Sequence, residues 1–388
     1  MAAALLAVGY TAASPVQRPA APPEATAAAS GVGDVLATLL ESGNFSRAGW
    51  RTDFSRHSVP LGELQSGGPP KDGIPPIDRP KFVAPSEAAS WLQPQEPVVT
   101  LEIQGEARAY PIQVLVWHEI VNDAVGGVPV AVTFCPLCNT AIAFDRRLGD
   151  RVLDFGTTGN LRHSDLVMYD RQTESWWQQA VGQAIVGELT GERLTFLPAA
   201  LISFQDFRTA YPNGKVLSRD TGHFRDYGRN PYVGYDDITS SPFLFSGKPD
   251  GRLRPMERVV TVSLGGIDRA YPLGVVQERR VVQDTIGDTR VVVFHAPGAS
   301  SPLDGRVIAD SRDIGAVGVF QAELEGRRLT FTVRSGMIVD RETASTWNIL
   351  GHATAGPLAG KRLAPVLHGT PFWFAWAAFK PKTEIAQP

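Results

Sequence analysis

Residues 98–136 align without a gap onto residues 259–297, and this repeat constrains the fold more than any other feature of the chain. The shift is 161 residues, and 15 of the 39 paired positions are identical, among them Gly105, Arg108, Ala109, Tyr110, Pro111, Asp123 and Pro136. Further along, Asp170-Arg171-x-Thr173-x-Ser175-x-Trp177 recurs as Asp340-Arg341-x-Thr343-x-Ser345-x-Trp347. Gly187-x-Leu189-x-Gly191-x-Arg193-Leu194 recurs as Gly356-x-Leu358-x-Gly360-x-Arg362-Leu363. Order and spacing are kept, so both copies are expected to share one fold.

Each copy reads as short strands. Residues 98–103 and 107–112 flank a Gln104-Gly105-Glu106 turn, and 118–123 and 128–134 flank Ala124-Val125-Gly126-Gly127. Residues 166–170 and 175–178 form a third hairpin. Short helices are expected at 86–92 and 204–211. The abundance of Gly (38) and Pro (30) suits many strands joined by turns. The expected fold is therefore mainly β, with two tandem related β-domains, barrels or sandwiches, arising from an internal duplication. Residues 1–33 read as a signal-like leader and an Ala/Pro-rich spacer, and 34–97 as an arm with a short helix at 34–42. Residues 98–217 form repeat 1, 218–258 a polar connecting loop and 259–380 a degenerate repeat 2.

The apolar opening MAAALLAVGYTAA ends in small residues, like the core and cleavage site of a secretory signal without its basic start. It points to an extracytoplasmic protein, periplasmic or secreted. No apolar stretch is long enough to span a membrane. Net charge is −3 with both signs interspersed, which gives no footprint for nucleic acid.

The repeat is also an internal control, because both copies keep what the fold needs while a site can survive in one. Cys135 aligns with Ala296, Cys138 with Ala299 and His118 with Arg279. Copy one also carries a longer connection: 15 steps separate Phe155 from Asp170, against nine from Phe331 to Asp340. That connection brings Asn160, His163 and Asp165. The two cysteines are the only ones in the chain and stand too close together to staple distant segments. Flanked by strands, Cys135-Pro136-Leu137-Cys138 forms a knuckle that aims two sulfurs at one place. A thioredoxin-type pair instead opens a helix, whose N-terminus depresses the thiol pKa.

Hairpin geometry sets His118 opposite residues 133–135, so the leading expectation is a metal site of Cys135, Cys138 and His118. His163 or Asp165 would complete it, with copper slightly ahead of zinc because paired sulfurs suit a soft ion. One alternative is thiol–disulfide or nucleophilic chemistry, with Cys135 as nucleophile and His118 as base. Another is a non-catalytic module binding a small molecule through aromatic residues such as Trp176 and Tyr169. Asp123, Asp170 and Arg171 recur in copy two and read as turn or ion-pair residues. Trp177 reads as core, while Trp176 faces the other way and is placed to line a pocket.

The strings RAYPIQVLVWHEIVNDAVGGVPVAVTFCPLCNTAIAFDR, SDLVMYDRQTESWWQQAVGQAIVGELTG and RDTGHFRDYGRNPY are long and specific. Through them the chain resembles a bacterial and archaeal family catalogued as domain of unknown function 3179, from about Trp50 to about Phe379. The resemblance implies export and marks Trp117–Asp123 and Cys135–Cys138 as hallmark motifs, without an activity to carry over. The family usually has a residue such as Asn where this chain has His163. The resemblance therefore favours Asn160, Ser164 and Asp165 over His163.

Overall fold

In residues 97–111, apolar and polar side chains alternate about a Gln-Gly pair that favours a tight reversal. A computed structural model describes residues 44–386 of the chain; the leader, the spacer and the helix expected at 34–42 lie outside the described residues. Strand β1 (Pro97–Ile103) pairs antiparallel with β2 (Glu106–Pro111). Gln104 and Gly105 between them have φ of 51° and 81°, the two left-handed centres of a type I′ turn.

The chain then departs from expectation. Residues Ile112–His118 form a helix capped by Glu119, whose N–H donates to the Leu115 carbonyl at 2.7 Å. His118 thus ends a helix instead of opening a strand. Six of the seven helical residues are buried, so the segment shows no polar stripe by which to recognise it.

Strand β3 (Ile120–Val125) turns through Gly126-Gly127 into β4 (Val128–Cys135), and β5 (Thr140–Asp145) adds beside β4. Gly126 is obligatory there, because a Cβ would stand 2.3 Å from the Ile103 carbonyl oxygen. A second sheet runs through β6 (Phe155–Arg162), β7 (Asp165–Asp170), β8 (Trp176–Gln178) and β9 (Gln183–Val186). A third has Ala199–Ser203 beside β1 and Lys215–Leu217 parallel to β2. The chain is strand-dominated with few short helices, and its strands lie in several small sheets of two to five. Short helices at Pro85–Ala88 and Phe204–Ala210 stand where the sequence implied them.

Pairings seen in the first half recur in the second. Val259–Leu264 pairs with Ile267–Pro272, which takes Glu384–Ile385 in parallel as β2 takes Lys215–Leu217. The helix Leu273–Arg279 follows, then Val281–Ile286, Thr289–Ala296 and Ala316–Gln321 in one sheet. Phe331–Arg334 and Met337–Asp340 form the hairpin matching β6 and β7.

Recurrent polar residues do the same work in both halves. Asp170 accepts hydrogen bonds from the Thr173 N–H (2.6 Å) and Trp177 Nε1–H (3.0 Å); Asp340 does so from Thr343 (2.6 Å) and Trp347 (3.0 Å). Tyr110 donates to Asp123 at 2.6 Å as Tyr271 donates to Asp284 at 2.8 Å. These are fold-holding bonds, made by residues that recur in both halves of the sequence.

Trp176 lines no pocket. It is fully buried under Phe45, Trp50 and Phe54 of the N-terminal arm, with ring centroids 5.0–5.2 Å away. Leu64–Ser66 of the same arm pairs with β6. Such aromatic pairs contribute about 0.5–1.5 kcal/mol each beyond the area they bury, which ties the arm to the sheet.

Candidate metal centre

Cys135 is the last residue of β4 and pairs with Thr140, so Pro136–Asn139 is a four-residue hairpin loop carrying Cys138. The loop closes with Asn139 at φ 52°, its N–H donating to the Pro136 carbonyl at 3.2 Å. It is held from outside as well. Asn139 Nδ2 donates to the Thr370 carbonyl at 2.7 Å, and the Cys138 carbonyl accepts the Phe372 N–H at 3.0 Å. Both sulfurs are thus fixed in a buried layer with Phe144, Phe155, Trp177 and Phe372.

The third group arrives on the β6–β7 hairpin. Arg162 pairs with Asp165 across a two-residue turn, His163-Ser164, with φ of 52° and 69°. In the second half the corresponding turn follows Arg334, only three residues past Phe331; in the first half Arg162 lies seven past Phe155. This extra length carries the hairpin tip over the knuckle. There the Ser164 carbonyl meets Cys135 Sγ at 3.7 Å, and Asp165 turns inward.

Cys135 Sγ, Cys138 Sγ and a carboxylate oxygen of Asp165 lie within 4.8 Å of one another, all buried. Asp165 Oδ2 accepts from Gln178 Nε2 at 2.5 Å and from the Ala180 N–H at 2.9 Å. Its Oδ1 is buried without a hydrogen-bond partner. One oxygen is anchored by nitrogen donors, while the carboxyl's remaining neighbours are the two sulfurs, the Cys138 thiol interacting with it directly. Both cysteines are free thiols.

Burial dominates the electrostatics. It pushes the Asp165 carboxyl up to about 7 against the weaker pull of its hydrogen bonds and of Arg162. Burial, then Cys135 and Asp165, push the Cys138 thiol well above the ordinary range. Glu119 is only 8% exposed, and burial followed by the Asp165 charge lifts its carboxyl to about 8. The interior therefore gathers groups that are negatively charged once ionised and costly to ionise alone. A cation is what would relieve that cost.

The two histidines lie elsewhere. His118 is buried with Nδ1 at 2.7 Å from the Pro75 carbonyl and Nε2 at 2.7 Å from the Tyr227 hydroxyl, so both ring nitrogens are committed. Burial, then the neighbouring His223 and Arg225, lower its pKa to about 4, and it stays neutral. His163 sits at the outer side of its turn, 3.3 Å from Glu63 and against the rings of Phe245 and Phe379. Of the five residues singled out in the sequence, the structure brings together Cys135, Cys138 and Asp165.

Residues that the sequence did not single out complete the surroundings. Gln178 anchors Asp165, and Gln179 bridges the Thr133 and Thr140 hydroxyls at 2.8 Å each, bracing the knuckle strands. A signal was present: Gln178-Gln179 matches Asn348-Ile349 in the other copy. Glu119 likewise matches Arg280. The helix Trp373–Phe379 begins beside the knuckle, its N-cap residue Phe372 donating to the Cys138 carbonyl. The raised Cys138 thiol stays protonated, which disfavours it as a nucleophile.

No curated protein and no solved structure matches the chain. One family model does match, and it takes in the later part of the arm, the Cys-Pro-Leu-Cys knuckle, the extended hairpin and the whole second half. The chain belongs to that family, described as protein of unknown function (DUF3179), over residues 71–383.

Proposed function

We propose that this protein binds one divalent metal ion through Cys135 Sγ, Cys138 Sγ and Asp165 Oδ1. The observation that carries the reading is the orphaned Asp165 Oδ1, fully buried beside two thiols in a donor set within 4.8 Å. An unpaired carboxylate oxygen in such a place is expensive, and metal coordination is the interaction that fits it.

The donor set also bears on the metal. Two thiolates with imidazole would have suited copper, but the third donor here is a carboxylate. Zinc accepts sulfur and oxygen together, whereas Cu(I) prefers sulfur and nitrogen, so zinc is the better match. In the same reading the chain is an internal duplication whose second copy lost the centre, since Ala296 and Ala299 stand where the cysteines would be. Export rests on the leader sequence at residues 1–13. Among the described residues, no helix is long and apolar enough to cross a membrane.

Elemental analysis of protein purified from its native compartment, beside the Cys135→Ser/Cys138→Ser variant, tests the reading. About one equivalent of zinc in the wild type, absent from the variant, is the expected result. No metal in either, together with two thiols that oxidise reversibly, would replace metal binding with redox chemistry.

A further inference from the structure

A cleft of about 230 Å³ separates β5 from residues 367–380 of the second half. Its walls are mostly apolar, with Ala141, Ile142, Phe196 and Leu197 on one side and Leu367 and Trp376 on the other. Leu367 is 41% exposed at this surface and adds to its apolar lining. The lining holds two cations, Arg193 and Lys380, and no carboxylate. Lys380 is neutralised by Asp268 at 3.0 Å. Arg193 donates to the amide oxygen of Gln183 at 3.1 Å and has no carboxylate partner among the described residues.

We propose that this cleft binds a small amphipathic anion, its apolar body between β5 and Trp376 and its carboxylate on the Arg193 guanidinium. Concave sites with apolar walls and one or two convergent polar groups are the usual form of a small-molecule pocket, and they favour junctions between structural units. The charge selects the head group: a guanidinium without an acid partner binds a carboxylate with two charge-assisted hydrogen bonds. The floor of the cleft includes Ala180, whose N–H holds Asp165, and Thr140, two residues beyond Cys138. A ligand there would lie one layer from the cysteine pair, but the proposal does not depend on a metal.

The test uses the full chain with an anionic apolar dye, 1-anilinonaphthalene-8-sulfonate, as reporter and decanoate or decanol as competitor. Saturable one-site binding of the dye, displaced by decanoate, is expected. Arg193→Gln, an exposed substitution that leaves the fold intact, should weaken decanoate about tenfold or more while leaving decanol unchanged. Ala141→Trp should fill the cleft and abolish both. Absence of saturable binding would overturn the proposal. Equal weakening of decanoate and decanol by Arg193→Gln, or no weakening, would overturn it too. Elemental analysis of the same samples reports separately on the metal, so loss of one reading leaves the other standing.

Discussion

Asp165→Asn changes the centre with little steric disturbance, because an amide oxygen can still accept from Gln178 and Ala180 where Oδ2 does now. What it removes is a titration. In the metal-free protein the unfolded chain gives up this proton near 3.8, whereas the folded chain holds it to about 7. Between those values the folded state binds more protons, so Asp165 costs stability progressively as pH rises from about 4 to about 7, and no further above that. At about 1.4 kcal/mol per tenfold change in proton affinity, the loss is about 4 kcal/mol. Glu119 carries part of the pH dependence too, since the Asp165 charge adds to burial in raising its carboxyl.

The assay is urea denaturation with a chelator present, from pH 4 to pH 8, for wild type and Asp165→Asn. Subtracting the two profiles cancels the titrating groups that do not interact with Asp165. Their difference should grow by about 4 kcal/mol across the window, with the variant the more stable at pH 8. Saturating zinc should reverse the wild-type trend, because coordination favours the ionised carboxyl and thiols as pH rises. Parallel profiles for the two metal-free proteins between pH 4 and pH 7 would refute the buried, unpaired Asp165 carboxyl and the donor set built on it.

Cys138, with its thiol held well above the ordinary range, should resist iodoacetamide at pH 8 in the native metal-free protein and react at ordinary thiol rates in urea; fast native labelling counted by mass would contradict the burial described. His118→Gln should leave the metal stoichiometry unchanged while lowering stability by about 1–3 kcal/mol through the lost bonds to Pro75 and Tyr227, and loss of metal in that variant would return His118 to the centre. Gly187→Ala and Gly356→Ala should each cost about 1–3 kcal/mol in thermal or chemical melts, because both positions have φ near +90° to +100° and a Cβ would crowd the Ser175 or Ser345 backbone; a neutral effect in one copy alone would break the structural equivalence.

The strands and hairpins were legible because alternation and turn residues are local signals, and the second copy repeated them with different side chains. The helix Ile112–His118 was not, since a seven-residue segment buried on nearly every side carries neither a helical nor a strand period. That one misreading moved His118 from a strand facing Cys135 to a helix end facing Pro75 and Tyr227. Asp165 was visible only as extra length between Phe155 and Asp170, because sequence spacing says that a hairpin is longer without saying what its tip reaches.

Glu119 shows how much more the internal comparison holds. Its φ is 59° and that of Arg280, its counterpart, is 65°, so the backbone demands the same left-handed residue in both copies after the same helix. Glycine would meet that demand with least strain, yet each copy keeps a large charged side chain there. Arg280 turns outward and donates to the His295 carbonyl at 3.0 Å and the Gly336 carbonyl at 3.3 Å. Glu119 turns inward, next to Asp165, with no hydrogen-bond partner for its carboxyl among the described residues. The fold therefore fixes the backbone at this position and leaves the side chain open. Beside it stands Asp165, whose charge raises the Glu119 carboxyl, so a cation bound at the proposed centre would favour the ionised form of both.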